Sequence, residues 1–343
     1  MIYILIPISL ILLAVGLFAL YIVITEYKPA PLEVSEIIRN TREDKLDELK
    51  TITTFNLGYC SLDKEQDFFL EGGMNSRTIS REKTFDNLIS IEDYLKSLNS
   101  DFYTLQEVDI KGKRSANVNQ VEHLASGLQK YNLSFAYNYI AKWVPLPFTH
   151  PMGSAYSGLL TLSKIPFSNS TRISLEGQET FPKSLFYPKR CMVINEVQIN
   201  RNKKLFIINI HLSAYDKDGM YRSKQIAHIL KYITNLYNNK ENYIIVGGDF
   251  NLLLDKTKYN DEMPDWVSLL PKELYDSEFR VVFDKNTNTV RSQDRPYQEG
   301  INFETIIDGF IVSPNITVSK IETHNLRYEN TDHNPVTLSF KLK

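Results

Sequence analysis

From Ile2 to Thr25 the chain carries no charged side chain. At about 1.5 Å of rise per residue, a helix of that length exceeds the ~30 Å hydrocarbon thickness of a bilayer. A cleaved secretory signal would pair a shorter apolar stretch with a basic start and a small-residue cleavage site. Here no Lys or Arg precedes the run, and Ile24-Thr25-Glu26-Tyr27 offers no such site. The expectation is a retained transmembrane anchor over residues 2–25, in which Pro7 and Gly16 are tolerable. Basic residues counted alone (Lys28, Arg39, Arg42, Lys45) would keep the following domain cytoplasmic. A single N-terminal apolar segment before one large domain is organised like an uncleaved export signal, and an extracytoplasmic domain on a single-pass membrane protein is the expectation.

Residues 26–50 open with Lys28-Pro-Ala-Pro and turn highly charged, as expected of a stalk leading into a solvated helix. The domain proper is expected over 51–343. There, apolar β-branched runs read as strands: Thr51–Leu57, Phe102–Leu105, Ser157–Leu162, Met192–Ile199, Leu205–Ile210, Tyr243–Val246, Thr305–Val312 and Val336–Leu342. Helical spacing places Phe85, Leu88, Ile91, Leu95 and Leu98 on one inward stripe, and Val121, Leu124, Ala125 and Leu128 on another. A third helix is expected over Met220–Tyr237, with Ile226, Ile229, Leu230 and Ile233 inward. Strands mixed with helices, without repeats or low-complexity linkers, predict one layered α/β domain. Long irregular stretches at Gly58–Ser80, Ala141–Tyr156 and Asp284–Asn302 have the length of binding loops.

A net charge of −2 argues against a global basic field for nucleic acid, although a local basic groove remains compatible with it. Cys60 and Cys191 form neither a disulfide framework nor a zinc-ligand spacing.

Polar residues stand where apolar strands finish: Asn56, Glu107, His211 and Asp249. In layered α/β proteins such strand ends gather at one rim, where ligands bind. Singly, each has an ordinary role as a solvated acid, a turn former or a satisfied strand-end histidine; the constellation is what points to chemistry. Gly247-Gly248-Asp249-Phe250-Asn251 puts two small residues before an acid, read as a sharp turn that brings Asn251 to the same side. Asp308 lies inside the apolar run Ile306–Val312, where a carboxylate needs a partner. His333 precedes the last strand, and the two are expected to pair.

In this order, TFN, LQEV, HL, GGDFN, IDGFIVS and TDHNPV resemble the endonuclease/exonuclease/phosphatase superfamily over about Thr51–Leu342, with the middle strand Gly158–Pro166 in support. The superfamily includes DNase I-like nucleases, abasic-site endonucleases, neutral sphingomyelinases and inositol-polyphosphate 5-phosphatases. The resemblance implies a DNase I-like α/β fold, a four-layer α/β/β/α sandwich, here with an N-terminal transmembrane helix. It also implies that Glu107 is the main metal-binding carboxylate, with Asn56 helping to order the metal and phosphate site and Asp332 a further acid beside it. Asp249 would orient or deprotonate the attacking water, Asn251 would hold a phosphate oxygen, and His333, braced by Asp308, would contact the scissile phosphate. His211 would contact phosphate or assist the leaving group.

Oxygen donors without a cysteine or histidine cluster suit a hard ion, so Mg²⁺ is expected, with Mn²⁺ as a substitute. The stretch Gly58–Arg77, including Phe68–Gly73, lies outside the shared motifs and is a candidate specificity loop. Arg77, Arg81, Lys142 and Arg190 are candidate phosphate-binding cations, each with an ordinary surface role as the alternative. The expected function is a membrane-anchored, Mg²⁺-dependent phosphoesterase acting on a phosphodiester or phosphomonoester of a lipid or another surface molecule. The alternatives are a Mg²⁺-dependent nuclease of the DNase I type and a catalytically silent binding domain. The partners implied are a phosphoester substrate, lipid headgroup or nucleic acid, and the membrane; no protein partner is implied.

Overall fold

The computed structural model describes residues 2–39, 48–216, 218–237, 240–260 and 262–343. In chain order the elements are α1 (Ile2–Ile24), β1 (Leu32–Val34), β2 (Glu36–Arg39), β3 (Lys50–Asn56), α2 (Arg81–Leu98), β4 (Phe102–Gly112), α3 (Gln120–Gly127), β5 (Asn132–Val144), β6 (Gly153–Ser163), β7 (Asn169–Ser174) and β8 (Cys191–Gln198). They continue with β9 (Lys204–His211), α4 (Met220–Tyr237), β10 (Tyr243–Asp249), α5 (Lys272–Tyr275), β11 (Arg280–Val282), β12 (Val290–Arg291), β13 (Glu304–Thr305), β14 (Asp308–Val312), β15 (Ile316–Thr323) and β16 (Val336–Leu342). Two seven-stranded sheets result, ordered β1-β7-β8-β9-β10-β14-β11 and β15-β16-β3-β4-β6-β5-β2. Each contains one parallel pair, β9 with β10 and β3 with β4.

The two-residue period of the strands builds the layers. On β9, Phe206, Ile208 and Ile210 face the core that holds Ile226, Ile229 and Ile233 of α4. On the other sheet, Tyr103, Leu105, Leu133 and Phe135 pack with Leu88, Ile91 and Leu95 of α2 and with Val121 and Leu124 of α3. The alternate residues of both sheets meet between them: Ile52, Phe102, Leu205, Ile207, Tyr243 and Ile245 share one buried cluster. The order is therefore helix, sheet, sheet, helix. Each fully buried Leu or Ile in these clusters contributes about 1.5–3 kcal/mol. Polar caps define the helix starts, the Ser80 hydroxyl accepting from Lys83 N at 3.1 Å and the Asn119 side chain from Glu122 N at 3.1 Å.

Several expectations change. Residues 32–39, expected within a stalk, are edge strands, β1 pairing with β7 and β2 with β5, so the fold reaches back almost to the apolar helix. The solvated helix expected after them falls on residues 40–47, outside the described residues. β5 was expected neither as a strand nor as part of the core. Its Asn132 and Ser134 are buried, the Ser134 hydroxyl bonding Asn195 of the facing sheet, so polar residues interrupt the apolar signature of a fully buried strand. The irregular stretch over 141–156 correspondingly shrinks to residues 145–152. Phe85 is exposed at the edge of the α2 stripe, its ring against His123. The run Thr305–Val312 divides, because Ile306 and Ile307 turn away to accept from Leu254 N and Phe250 N.

Candidate active site

Four strands carry a gradient along their inward-facing residues. β9 runs Leu205, Ile207, Asn209, His211; β10 runs Tyr243, Ile245, Gly247, Asp249; β3 ends Ile52, Thr54, Asn56; β4 begins Phe102, Thr104, Gln106. The apolar tier comes first and the polar tier last, so every strand delivers its polar residue to the same edge. In the middle tier Asn209 donates to the carbonyls of Leu105 and Leu160 at 3.1 Å each and accepts from Gln106 at 2.8 Å. That network joins the sheets immediately beneath the rim.

At the rim, Asp249 is the Cα partner of His211 on one side and of Asp308 on the other. Asn56 donates to Asp249 Oδ2 at 3.0 Å and lies 3.3 Å from His333 Nε2. His211 Nε2 is 3.4 Å from the same carboxylate oxygen and 3.9 Å from Glu107. His333 Nδ1 stands 2.9 Å from Asp308 Oδ2, and its Nε2 faces Asp249 at 3.7 Å and Asp332 at 3.8 Å. Asn251, at φ 49°, donates its side-chain amide to Leu212 O at 3.1 Å. All the expected site residues except Asp308 line one cleft of about 440 Å³; Asp308 sits behind His333.

Two of the positions arise differently from the expectation. Glu107 is not at a strand end: β4 continues to Gly112, and a bulge between Leu105 and Val108, with Glu107 at φ 53°, rotates the carboxylate into the cleft. The glycines before Asp249 make no turn, because both lie within β10. A Cβ on Gly248 would come within 2.1 Å of Ile210 O, and one on Gly247 within 2.8 Å of the Phe310 ring, so they are required for close packing. The turn itself is made by Asn251.

Burial and charge act on the groups in opposite directions. Burial, aided by Asp308, pushes the Asp249 carboxyl up to about 7. Burial likewise raises Glu107, and Asp332 adds to the effect. His211 is driven well below the ordinary histidine range by burial and by the Arg190 guanidinium. Burial also disfavours a charged His333, yet Asp308, Asp332 and Asp249 outweigh it and hold the ring well above that range.

The donor set fits a hard cation. The Glu107 carboxylate accepts no hydrogen bond among the described residues, and Asp332 crowds it with like charge. The neighbouring Arg114 is already committed to Asp109 through two bonds of 2.8 and 3.1 Å. Asp249, Asp308 and His333 also lie close enough to share an ion. Asp308, however, is fully buried with one oxygen on His333 Nδ1, so an ion there would break the pair that orients the ring. The more open Glu107 side, with Asn56 and Asp332, suits it better.

Of the candidate cations, Arg190 lines the cleft and is buried; its peptide N–H donates to Gln178 and its guanidinium to His211 O at 3.5 Å. Arg77 binds Pro151 O and Arg81 binds Ala116 O, while Lys142 lies against Tyr156. Phe68, Phe69, Leu70 and Glu71 of the candidate specificity loop line the cleft. Sequence reasoning missed Arg114, Tyr215, Trp266 and Gln293, which also line it. Gln293 donates to Asp332, a contact across the fold that no local motif announces.

Comparison with known proteins agrees with this architecture. The profile of the endonuclease/exonuclease/phosphatase family matches residues 53–327. Among solved structures, an endonuclease/exonuclease/phosphatase from Beutenbergia cavernae is 14% identical with a TM-score of 0.61, over 86% of this chain and 72% of that one. The human Nocturnin catalytic domain with bound sulfate is 16% identical with a TM-score of 0.56, over 90% and 97% of the two chains. D. rerio TDP2 complexed with a single-strand DNA product is 16% identical with a TM-score of 0.55, over 86% and 100%. A comparison with curated proteins returns no match. At these identities the structural likeness establishes the fold, and the profile match over most of the chain establishes that this protein belongs to the endonuclease/exonuclease/phosphatase family, whose members hydrolyse phosphoester bonds.

Proposed function

We propose that this protein is a membrane-anchored, divalent-metal-dependent phosphoesterase. The observation that carries the reading is the convergence of Asn56, Glu107, His211, Asp249, Asn251, Asp332 and His333 on one cleft from distant stretches of chain. Glu107, Asn56 and Asp332 would hold Mg²⁺, or Mn²⁺ in its place. Bound there, the ion supplies charge neutralisation for the phosphoryl oxygens. Asp249, aligned by the Asn56 amide at 3.0 Å, takes the proton of the attacking water; its raised affinity for protons suits a general base. His333, turned by Asp308 and charged, donates Nε2–H to a phosphoryl oxygen, and Asn251 holds another. His211, uncharged in its buried setting, stands beside Asp249 to serve the phosphate or the leaving group. Each proton transfer to a positioned group contributes roughly 10²- to 10⁴-fold.

The membrane reading rests on α1, the one described helix long and apolar enough to cross a bilayer, with 6% of its span buried. An extracytoplasmic domain is our reading of its orientation. A nuclease is the second reading, favoured by the presence of His211 in the cleft and by the DNA product in the TDP2 structure.

The test is Mg²⁺-dependent turnover by the full chain in detergent on phospholipids, sphingomyelin, inositol phosphates and DNA, beside Asp249→Ala. Metal-dependent hydrolysis that vanishes in the variant is the expected result. DNA turnover exceeding all others would replace the lipid or surface substrate by nucleic acid. A folded chain that binds neither Mg²⁺ nor Mn²⁺ and cleaves no ester would be a silent binding domain.

A further inference from the structure

The chain just past α1 is bonded to one wall of the cleft. Ile22, in the last turn of α1, is buried, while most of the rest of that helix is exposed. Just beyond it, Glu26 pairs with Lys189 at 2.7 Å and bonds Ser184, and the Tyr27 hydroxyl lies 3.5 Å from Tyr137 O. Ser184 and Lys189 bracket Phe186, Tyr187 and Pro188, which line the cleft. A bilayer that holds α1 therefore ends beside this wall.

Exposed apolar residues flank the stretches of chain that wall the cleft. Phe181 is 70% exposed and lies three residues from Ser184, within about 11 Å along the chain. Phe148 is 83% and Leu146 43% exposed on the loop 145–152, which walls the same cleft through Leu146 and Met152. The loop 72–80 leans on it, Ser76 and Arg77 bonding the carbonyls of His150 and Pro151, and carries Met74 at 85% exposed. Lys142 and Lys183 stand exposed on these two walls. Single exposed apolar residues are ordinary on a soluble surface, but a group of this size around one opening marks an interaction site. Aromatic and aliphatic tips with lysines beside them match the boundary between headgroups and acyl chains.

Resting on the phosphoesterase reading, we propose that Phe148, Phe181, Leu146 and Met74 seat the mouth of the cleft in the bilayer that holds α1. The substrate is then the headgroup phosphodiester of a membrane lipid, glycerophospholipid or sphingolipid, attacked without leaving the membrane. Inside the mouth, Phe68, Phe69, Val144, Leu146, Met152 and Phe186 form an apolar wall beside the polar rim. It accommodates the acyl-bearing part of the lipid while the ester phosphate reaches His333 and Glu107.

The test uses the full chain reconstituted in vesicles of phosphatidylcholine, phosphatidylglycerol and sphingomyelin, each assayed in turn so that the lipid classes are separated. Phe181→Trp and Phe148→Trp are read by fluorescence quenching with lipids brominated on the acyl chain, and the Phe148→Asp/Phe181→Asp double variant by turnover. We expect quenching of both new tryptophans. For the double variant we expect a fall of about tenfold or more in vesicle-lipid hydrolysis, the effect of losing buried aromatic area. Hydrolysis of a soluble ester, bis-p-nitrophenyl phosphate, remains unchanged. Tryptophans that are not quenched, or a double variant as active on vesicles as the wild type, would overturn the interfacial surface while soluble-ester hydrolysis left the phosphoesterase reading standing. Loss of soluble-ester hydrolysis in the wild type itself would instead defeat that reading, and the quenching would still report on the surface.

Discussion

The space between the two sheets has two ends built from the same strands. At one end Ile52, Phe102, Leu205, Ile207 and Tyr243 close-pack without a polar atom to satisfy beyond the tyrosine hydroxyl. At the other, Asn56, His211, Asp249 and their neighbours crowd carboxylates and imidazoles into a cleft, where loss of solvation, and after it neighbouring charge, shifts their proton affinities. Between them Asn209, Gln106 and Asn195 tie the sheets with hydrogen bonds, Gln106 to Asn209 and Asn195 to Thr161. A single strand thus passes from stability to chemistry in four alternate positions, and the apolar end holds in place what the polar end destabilises.

This division can be broken at either end. The largest effect is expected from Asp249→Asn, which should lower metal-dependent kcat by about 10³-fold or more. Its melting temperature should hold or rise, since the buried carboxylate faces Asp308 at close quarters. A melting temperature that falls as steeply as the activity would merge the two ends.

Next comes Asp308→Asn, with kcat reduced about 10²- to 10³-fold through loss of the charged, oriented His333. His333 has a raised folded-state pKa, so its pairing stabilises the fold fully below its unfolded pKa of about 6.5 and is lost as pH rises through the folded value. Chelated protein melted from pH 5 upward should therefore show the variant's deficit largest at acid pH and shrinking as pH rises.

At the apolar end, Ile207→Ala should cost about 2–5 kcal/mol in denaturant unfolding with kcat unchanged. The smallest effect is expected in the middle tier. Asn209→Ala leaves the Gln106 amide and two carbonyls short of a partner, about 1–3 kcal/mol, with a modest loss of kcat as the rim loosens.

Much of the site was legible because its residues sit at places where a local pattern changes. His211 and Asp249 end apolar runs, Asp308 interrupts one, and His333 precedes one. α4 was legible to the residue, since its inward isoleucines recur at helical spacing on an otherwise polar surface. β5 was not, because a strand buried on both faces can carry Asn132 and Ser134 on one of them when partners are supplied, Ser163 O for Asn132 and Asn195 of the facing sheet for Ser134. Nor were the edge strands β1 and β2, whose residues are half exposed and read as a linker. The bulge at Glu107 was invisible for a related reason: the sequence shows an acid after an apolar run, not that the strand continues past it.

What the sequence by itself determined is the periodicity, and with it the apolar helix, the layered class and the identity of the polar residues at the rim, because spacing and burial preference are properties of the chain alone. Only the tertiary structure decided that Gln293 would meet Asp332, that Arg190 and Tyr215 would line the cleft, and that Glu26 would tie the apolar helix to its wall. Those contacts join residues far apart in the chain, and their free energy appears only once two packed sheets have brought the partners within reach.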